Sequence, residues 1–210
     1  MVEPIRGLDP ETIAANLERA RARAGEGVEI LAATKYVPLD EMGALAEAGV
    51  TLVGENHQQD LAAKRERWGD AFEWDFIGNL QSRKVKRILP LVRLIHSVAS
   101  ESALEQLGRH GGPDTEVLVE VNLSGEDEKG GIAPEGLDEF IERCPVRVSG
   151  LMTMPPFTED PEASRPYFAR LAELASEREL ERISMGTSQD WPVAVEEGAT
   201  ILRLGSTLWA

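Results

Sequence analysis

The chain is expected to fold as one closed barrel of eight parallel strands ringed by helices, the TIM-type (β/α)8 architecture. Three observations predict it. Eight short apolar stretches recur along 210 residues, and a helix-like stretch separates each from the next. Strict alternation of strand and helix demands a parallel sheet, because a parallel neighbour is reached only through a crossover. Several stretches are apolar on both faces, as strands covered on both sides are. The alternative, an open doubly wound sheet, usually has fewer strands than eight.

The elements follow in order. Asp9 to Gly25 reads as a helix that precedes any strand: Asp9 caps it, Pro10 suits its first turn, and Gly25 stops it. Ile13, Leu17 and Ala20 give it one apolar stripe. "VEILAATKY" is the first strand, and "LDEMGALAEAG" a helix ending at Gly49. "VTLVGEN" and "EWDFIGN" are the next two strands, with "HQQDLAAKRERW" between them and "LQSRKVKRIL" after. "RLIHSVA", "TEVLVEVNL" and "VRVSGLMTM" are strands four to six. The helix-like "SESALEQLGRH", "PEGLDEFIERC" and "EASRPYFARLAELASERE" follow them in turn. "RISMGTS", "QDWPVAVEEG" and "ATILRLGSTLWA" supply strand seven, a helix and strand eight. No helix is expected after strand eight, so the extra N-terminal helix is expected to fill that place in the outer ring. No linker or repeat interrupts the pattern, and residues 1–210 are expected to be a single domain.

Composition narrows the function. The chain is 42% hydrophobic, enough for a full core, and its net charge of -15 repels phosphate backbones and anionic lipid. No nucleic-acid or membrane partner is expected, and no apolar run approaches the ~18 residues of a membrane span. The single cysteine, Cys144, cannot form an internal disulfide, and the first residues do not read as a secretory signal. A cytoplasmic protein is expected, and a monomer, since no apolar face is left over. Three histidines and one cysteine show no metal-ligand spacing. The one cationic cluster, Arg83 to Arg87, reads as a solvated helix face.

Barrels of this kind build their sites at the carboxyl ends of the strands. Those ends carry Lys35; Glu55 and Asn56; Gly78 and Asn79; His96 and Ser97; Asn122; Met152 and Met154; "SMGTS" at 184–188; and "RLGST" at 203–207. Lys35 alone among the lysines follows a buried strand. Lys64, Lys84, Lys86 and Lys129 fall in polar helical or loop segments. Partial desolvation would favour the neutral amine of Lys35, the form that condenses with an aldehyde. Taken alone, it is as well read as a lysine snorkelling from a strand end. The loops after strands seven and eight are the phosphate-binding positions of this architecture. "SMGTS", with Met185, Gly186 and Ser188, and "RLGST", with Gly205 and Ser206, combine glycine with hydroxyls there. Bare backbone N–H groups and hydroxyls donate to an anion, although one such loop alone would be read as a strand stop and a helix cap. An aldehyde partner and a phosphate site together describe pyridoxal 5'-phosphate (PLP). Arg203 projects to the same side as Gly205, and an arginine facing the pyridine nitrogen would keep it unprotonated.

The blocks "AATKYV", "GENHQQD", "WDFIGNLQSRK", "IHSVAS", "VLVEVNLSGEDEKGG", "VSGLMTMPP", "SMGTSQDW" and "GATILRLGST" resemble, in order and spacing, the pyridoxal phosphate homeostasis proteins, a PLP-binding family. The resemblance spans essentially the whole chain. It implies a barrel like the N-terminal domain of alanine racemase, with Lys35 holding PLP as an internal aldimine and Arg203 beside the ring nitrogen. It places Ser188, Gly205 and Ser206 at the phosphate, Met185 and Gly186 in the same loop, and Asn56 near the ring. It implies a carrier or regulator of the vitamin B6 cofactor, without evident turnover, whose partners are PLP and PLP-dependent apo-enzymes. This chain departs from the usual pattern at Asp75 (commonly histidine), Thr187 (commonly methionine), Ala99 (commonly aspartate) and His57 (often tyrosine or arginine), and in its short C-terminus.

The alternative is a PLP-dependent amino-acid racemase. Racemisation needs a second acid/base group on the substrate face opposite the lysine. Of the two tyrosines, Tyr36 is expected to point away from Lys35 by strand alternation, and Tyr167 to lie outside the barrel. His96 is expected in the barrel core and Cys144 at the opposite rim. No residue is therefore assigned a catalytic role.

Overall fold

Residues Glu29–Ala33, Leu52–Glu55, Glu73–Phe76, Leu94–Val98, Glu116–Glu120, Arg147–Met152, Arg182–Thr187 and Ile201–Leu204 form strands β1 to β8. They pair in chain order, all parallel, and β8 pairs with β1 to close the barrel. A computed structural model describes residues 3–126 and 130–210; Lys129 and part of the "GEDEKGG" block lie outside the described residues.

Helix α1, Pro10–Ala24, precedes β1. Its N-cap Asp9 accepts from the backbone N–H groups of Glu11 and Thr12, and Gly25 ends it at φ 84°. Helices α2 (Met42–Glu47), α3 (Gln58–Trp68), α4 (Val85–Ile88), α5 (Glu101–His110), α6 (Leu137–Glu142), α7 (Arg165–Ser176) and α8 (Trp191–Glu196) connect successive strands. The segment after β3 is less regular than its amphipathic pattern predicts. The short α4 is flanked by 3-10 turns, the second of which contains Pro90, a residue that cannot donate a helical hydrogen bond.

One expectation is corrected. A single helical turn, α9 (Ser206–Trp209), does follow β8. Gly205 leaves the strand, the Leu208 N–H reaches the Gly205 carbonyl at 2.8 Å, and Leu208 is fully buried. The strand reading of "STLWA" failed because an apolar tail looks alike in either state. Helix α1 packs against α8, α9 and α2 and so fills the ring between β8 and β1, as expected. The Asn16 side chain ties it there, donating to the carbonyls of Leu208 at 3.0 Å and Ala210 at 3.2 Å.

The core has two layers. Between sheet and helices lie Trp74, Phe76, Leu107, Phe168 and their neighbours. Inside the barrel, Leu31, Leu52, Leu94, Leu118, Met152 and Ile201 form a second apolar cluster. Among the polar side chains of the interior, four are buried in a row: Asp75, His96, Ser184 and Arg203. Ion pairs close the rim at the strands' amino ends. Arg93 pairs with Glu29 at 2.6 Å and Glu73 at 3.4 Å, Arg182 reaches Glu29 and Glu116 at 3.6 Å, and Arg147 pairs with Glu116 at 2.8 Å.

Candidate functional site

At the carboxyl ends of the strands lies a cavity of about 500 Å³. Lys35, Asn56, Ser188, Arg203, Gly205 and Ser206 all line it, six residues from four widely separated stretches of chain. Met185 and Gly186 do not line it. The Met185 side chain is buried in the outer core. Gly186 has φ +86°, and a Cβ there would sit 2.6 Å from the Ala194 Cβ, so glycine is needed to turn the chain against α8.

Lys35 differs from its sequence reading. Strand β1 ends at Ala33, and residues 34–37 form a turn closed by the Val37 N–H on the Thr34 carbonyl at 2.9 Å. Lys35 is exposed on that turn rather than desolvated at a strand end. Tyr36 does not point away. Alternation stops with the strand, and the Lys35 amine lies 4.7 Å from the Tyr36 ring centroid, both residues lining the cavity. This is a cation–π contact.

What holds the turn was not legible in the sequence. Lys64, read as an ordinary helix lysine, is only 4% exposed. It is ion-paired with the buried Glu55 and donates to the Thr34 carbonyl at 2.8 Å. The Thr34 hydroxyl donates to Glu55 Oε1 at 2.6 Å. A buried pair with further hydrogen bonds fixes geometry more than it adds stability. Here it clamps the residue before Lys35 to the end of β2.

Asn56 follows directly, and its side-chain Oδ1 is buried with no partner. Gly78 makes room for it: a Cβ there would lie 2.0 Å from the Asn56 carbonyl oxygen. On the other wall, Ser188 Oγ accepts from the backbone N–H groups of Gly205 at 2.9 Å and Thr207 at 3.2 Å. Its own proton remains for donation into the cavity. Asp190 braces this loop, accepting from the Thr187 N–H at 2.7 Å and the Thr187 hydroxyl at 3.0 Å. At Gly205 an added Cβ would meet nothing closer than 3.8 Å, so packing does not require glycine there.

Arg203 is 5% exposed. It donates to Ser184 Oγ at 2.6 Å, to the Thr153 carbonyl at 3.0 Å, and contacts Met154 Sδ at 3.0 Å. Burial pushes its pKa down to about 10, opposed by the charges of Glu120 and Asp190, so it remains cationic at neutral pH. His96 fills the barrel core as expected, fully buried beneath Ser184. Sequence reading also missed Phe157 and Trp209 on the cavity wall. Phe157 is 83% exposed and forms an apolar lip, and Trp209 Nε1 is buried without a partner. Neither carries a sequence signal beyond being aromatic.

The donor set suits PLP. A primary amine, an unpartnered buried amide oxygen, a hydroxyl with a free proton and a guanidinium with unused N–H groups converge on one cavity.

Comparison with known proteins assigns the chain to a family. Residues 8–210 match the family "Alanine racemase, N-terminal domain". A pyridoxal phosphate homeostasis protein of Aquifex aeolicus is 40% identical, over 92% of each chain. One from Pseudomonas aeruginosa is 34% identical, over 94% of this chain and 95% of its own. The structure of PipY from Synechococcus elongatus PCC7942, with PLP bound, superposes with TM-score 0.82 at 30% identity. It covers 94% of this chain and 100% of PipY. Alanine racemase of Corynebacterium glutamicum, 16% identical, shares the fold at TM-score 0.75, over 96% of this chain and 60% of its own. The chain thus belongs to the pyridoxal phosphate homeostasis protein family, built on the alanine racemase N-terminal domain.

Proposed function

We propose that this chain binds PLP in the cavity at the strand ends and holds it as an internal aldimine on Lys35. In this reading it serves as an intracellular carrier or regulator of the cofactor, in the cytoplasm and as a monomer, handing PLP to apo-enzymes. The observation that carries the reading is the single cavity shared by the Lys35 amine, Arg203 and the Ser188–Gly205–Ser206 wall. PLP-bound PipY, similar over nearly the whole chain, supports it.

The residues divide the work. The lysine condenses with the aldehyde. The Ser188 hydroxyl and the backbone at Gly205 and Ser206 take the phosphate, whose oxygens would draw the Gly205 and Thr207 N–H groups from Ser188 Oγ. Arg203 faces the ring nitrogen as a cation and keeps it unprotonated, which weakens the ring as an electron sink. Asn56 supplies its unpartnered amide to the ring substituents. Met185 and Gly186 shape the loop from behind.

Turnover is not part of the reading. Tyr36 is the one phenol on the cavity, and it lies against the lysine amine. A racemase needs an acid/base group on the face opposite the lysine. Alanine incubated with the PLP-loaded protein in deuterated water should keep its α-proton. Purified protein given PLP should show the visible absorbance band of a lysine aldimine. Lys35→Ala should lose that band. A band that survives in Lys35→Ala, or none in the unsubstituted protein, defeats the assignment.

A further inference from the structure

Branched apolar side chains ordinarily fill the interior of such a barrel. Here a file of polar groups crosses it, one from each of β3, β4, β7 and β8. Burying polar groups is costly unless each finds a partner, so the way they are joined carries information.

The direction of each hydrogen bond follows from chemistry. The Asp75 carboxylate is buried, which alone would raise its pKa. The hydrogen bond from His96 and the hydrogen bonds and charge of Arg93 outweigh that and hold it below the ordinary range, so it only accepts. The proton between His96 Nε2 and Asp75 Oδ2, 3.1 Å apart, therefore belongs to His96. Burial holds the His96 pKa below its ordinary value, so the ring is neutral at pH 7 and carries one proton. With that proton on Nε2, Nδ1 is an acceptor, and the Ser184 hydroxyl 2.9 Å away donates to it. Ser184 Oγ in turn accepts from Arg203 Nη1 at 2.6 Å. Every bond runs the same way, from Arg203 to Asp75.

The far end is anchored. Arg93 binds Asp75 through Nε at 3.1 Å and Nη2 at 2.9 Å, and its other edge binds Glu29 at 2.6 and 3.2 Å. A proton on His96 Nδ1 would give Ser184 Oγ two donors and leave its own hydrogen without an acceptor. Asp75 is what prevents this.

We propose that Asp75, His96 and Ser184 are positioning residues, a one-way relay that fixes Arg203 toward the cavity and so sets the state of the cofactor's ring nitrogen. The proposal rests on the PLP reading above. It gives Asp75 a purpose: a carboxylate deep in the barrel supports a buried arginine without touching it.

Two readouts test it. In protein labelled with ¹⁵N-histidine and free of cofactor, long-range ¹H–¹⁵N spectra should show one histidine fixed as the Nε2–H tautomer. In Ser184→Ala, the Nδ1 resonance of that histidine should move. After PLP addition, Ser184→Ala and Asp75→Asn should each shift the visible maximum in the direction that Arg203→Gln shifts it, and by less. A His96 found as the Nδ1–H tautomer overturns the relay. So does a maximum unmoved in both relay variants while Arg203→Gln moves it. If Asp75→Asn does not fold, Ser184→Ala cuts the same relay by losing one hydroxyl. A missing PLP band in the unsubstituted protein defeats the PLP reading instead, and the relay's role with it.

Discussion

Arg203 is a buried cation with no anion bonded to it among the described residues. Burial lowers its pKa from the ordinary guanidinium range to about 10. At ~1.4 kcal/mol per pKa unit, keeping it charged costs the fold about 3 kcal/mol, an order-of-magnitude figure. A fold selected for stability alone would not place it there. Arg203→Met should raise the unfolding free energy of the cofactor-free protein by roughly 1–3 kcal/mol in urea denaturation. The same variant should bind PLP at least ~10-fold more weakly by spectroscopic titration, since a charge-assisted contact is worth about 1.5–3 kcal/mol. At this scale the sequence singled out residues and not their setting. Lys35 stood out because it follows an apolar strand. Its exposure and its contact with Tyr36 did not, because β1 stops two residues earlier than its hydrophobic run suggests. Lys64 and Glu55 read as separate polar residues, and only folding brings them together behind Thr34.

Strand ends and the turns after them place the site. The junction of β7 and α8 shows how tightly. Gly186 lies at φ +86°, with Ala194 of α8 where a side chain would go. Gly186→Ala should cost roughly 2–4 kcal/mol, combining left-handed strain with overpacking. Urea denaturation should report the loss, and PLP affinity should fall with it, because Ser188 sits two residues on. The apolar and amphipathic runs located all eight strands. The tail was misread because "STLWA" has no period that separates a strand from one helical turn. The outcome bears on the site, since α9 starts at Ser206 and its Thr207 N–H bonds to Ser188.

Across the whole barrel, the apolar interior, the polar file and the charged rim form one continuous structure from Glu29 to Arg203. Strand count and order were legible because alternation is a local property. The file was not. His96 and Asp75 were each noticed, but the inward register that aligns them with Ser184, 88 residues after His96, belongs to the closed barrel alone. The file also makes stability depend on pH. Asp75 and His96 both have folded pKa values below their unfolded ones, 3.8 and 6.5. The unfolded chain therefore binds more protons as pH falls, and stability present above each unfolded value is lost below it. Urea midpoints should be highest near pH 7 and above, fall once pH drops below about 6.5, and fall again in the carboxylate range. The first fall should be smaller in His96→Gln.

No helix among the described residues is long and apolar enough to cross a membrane. The cavity mouth, with Lys35 and Phe157 at its wall, lies at the carboxyl ends of the strands. The central claim is that one lysine at that mouth holds the cofactor. The most direct measurement is reduction of the PLP-treated protein with borohydride, followed by mass spectrometry of its peptides. A phosphopyridoxyl adduct on Lys35 is the predicted result. An adduct confined to Lys64, Lys84, Lys86 or Lys129, or none at all, would contradict the account.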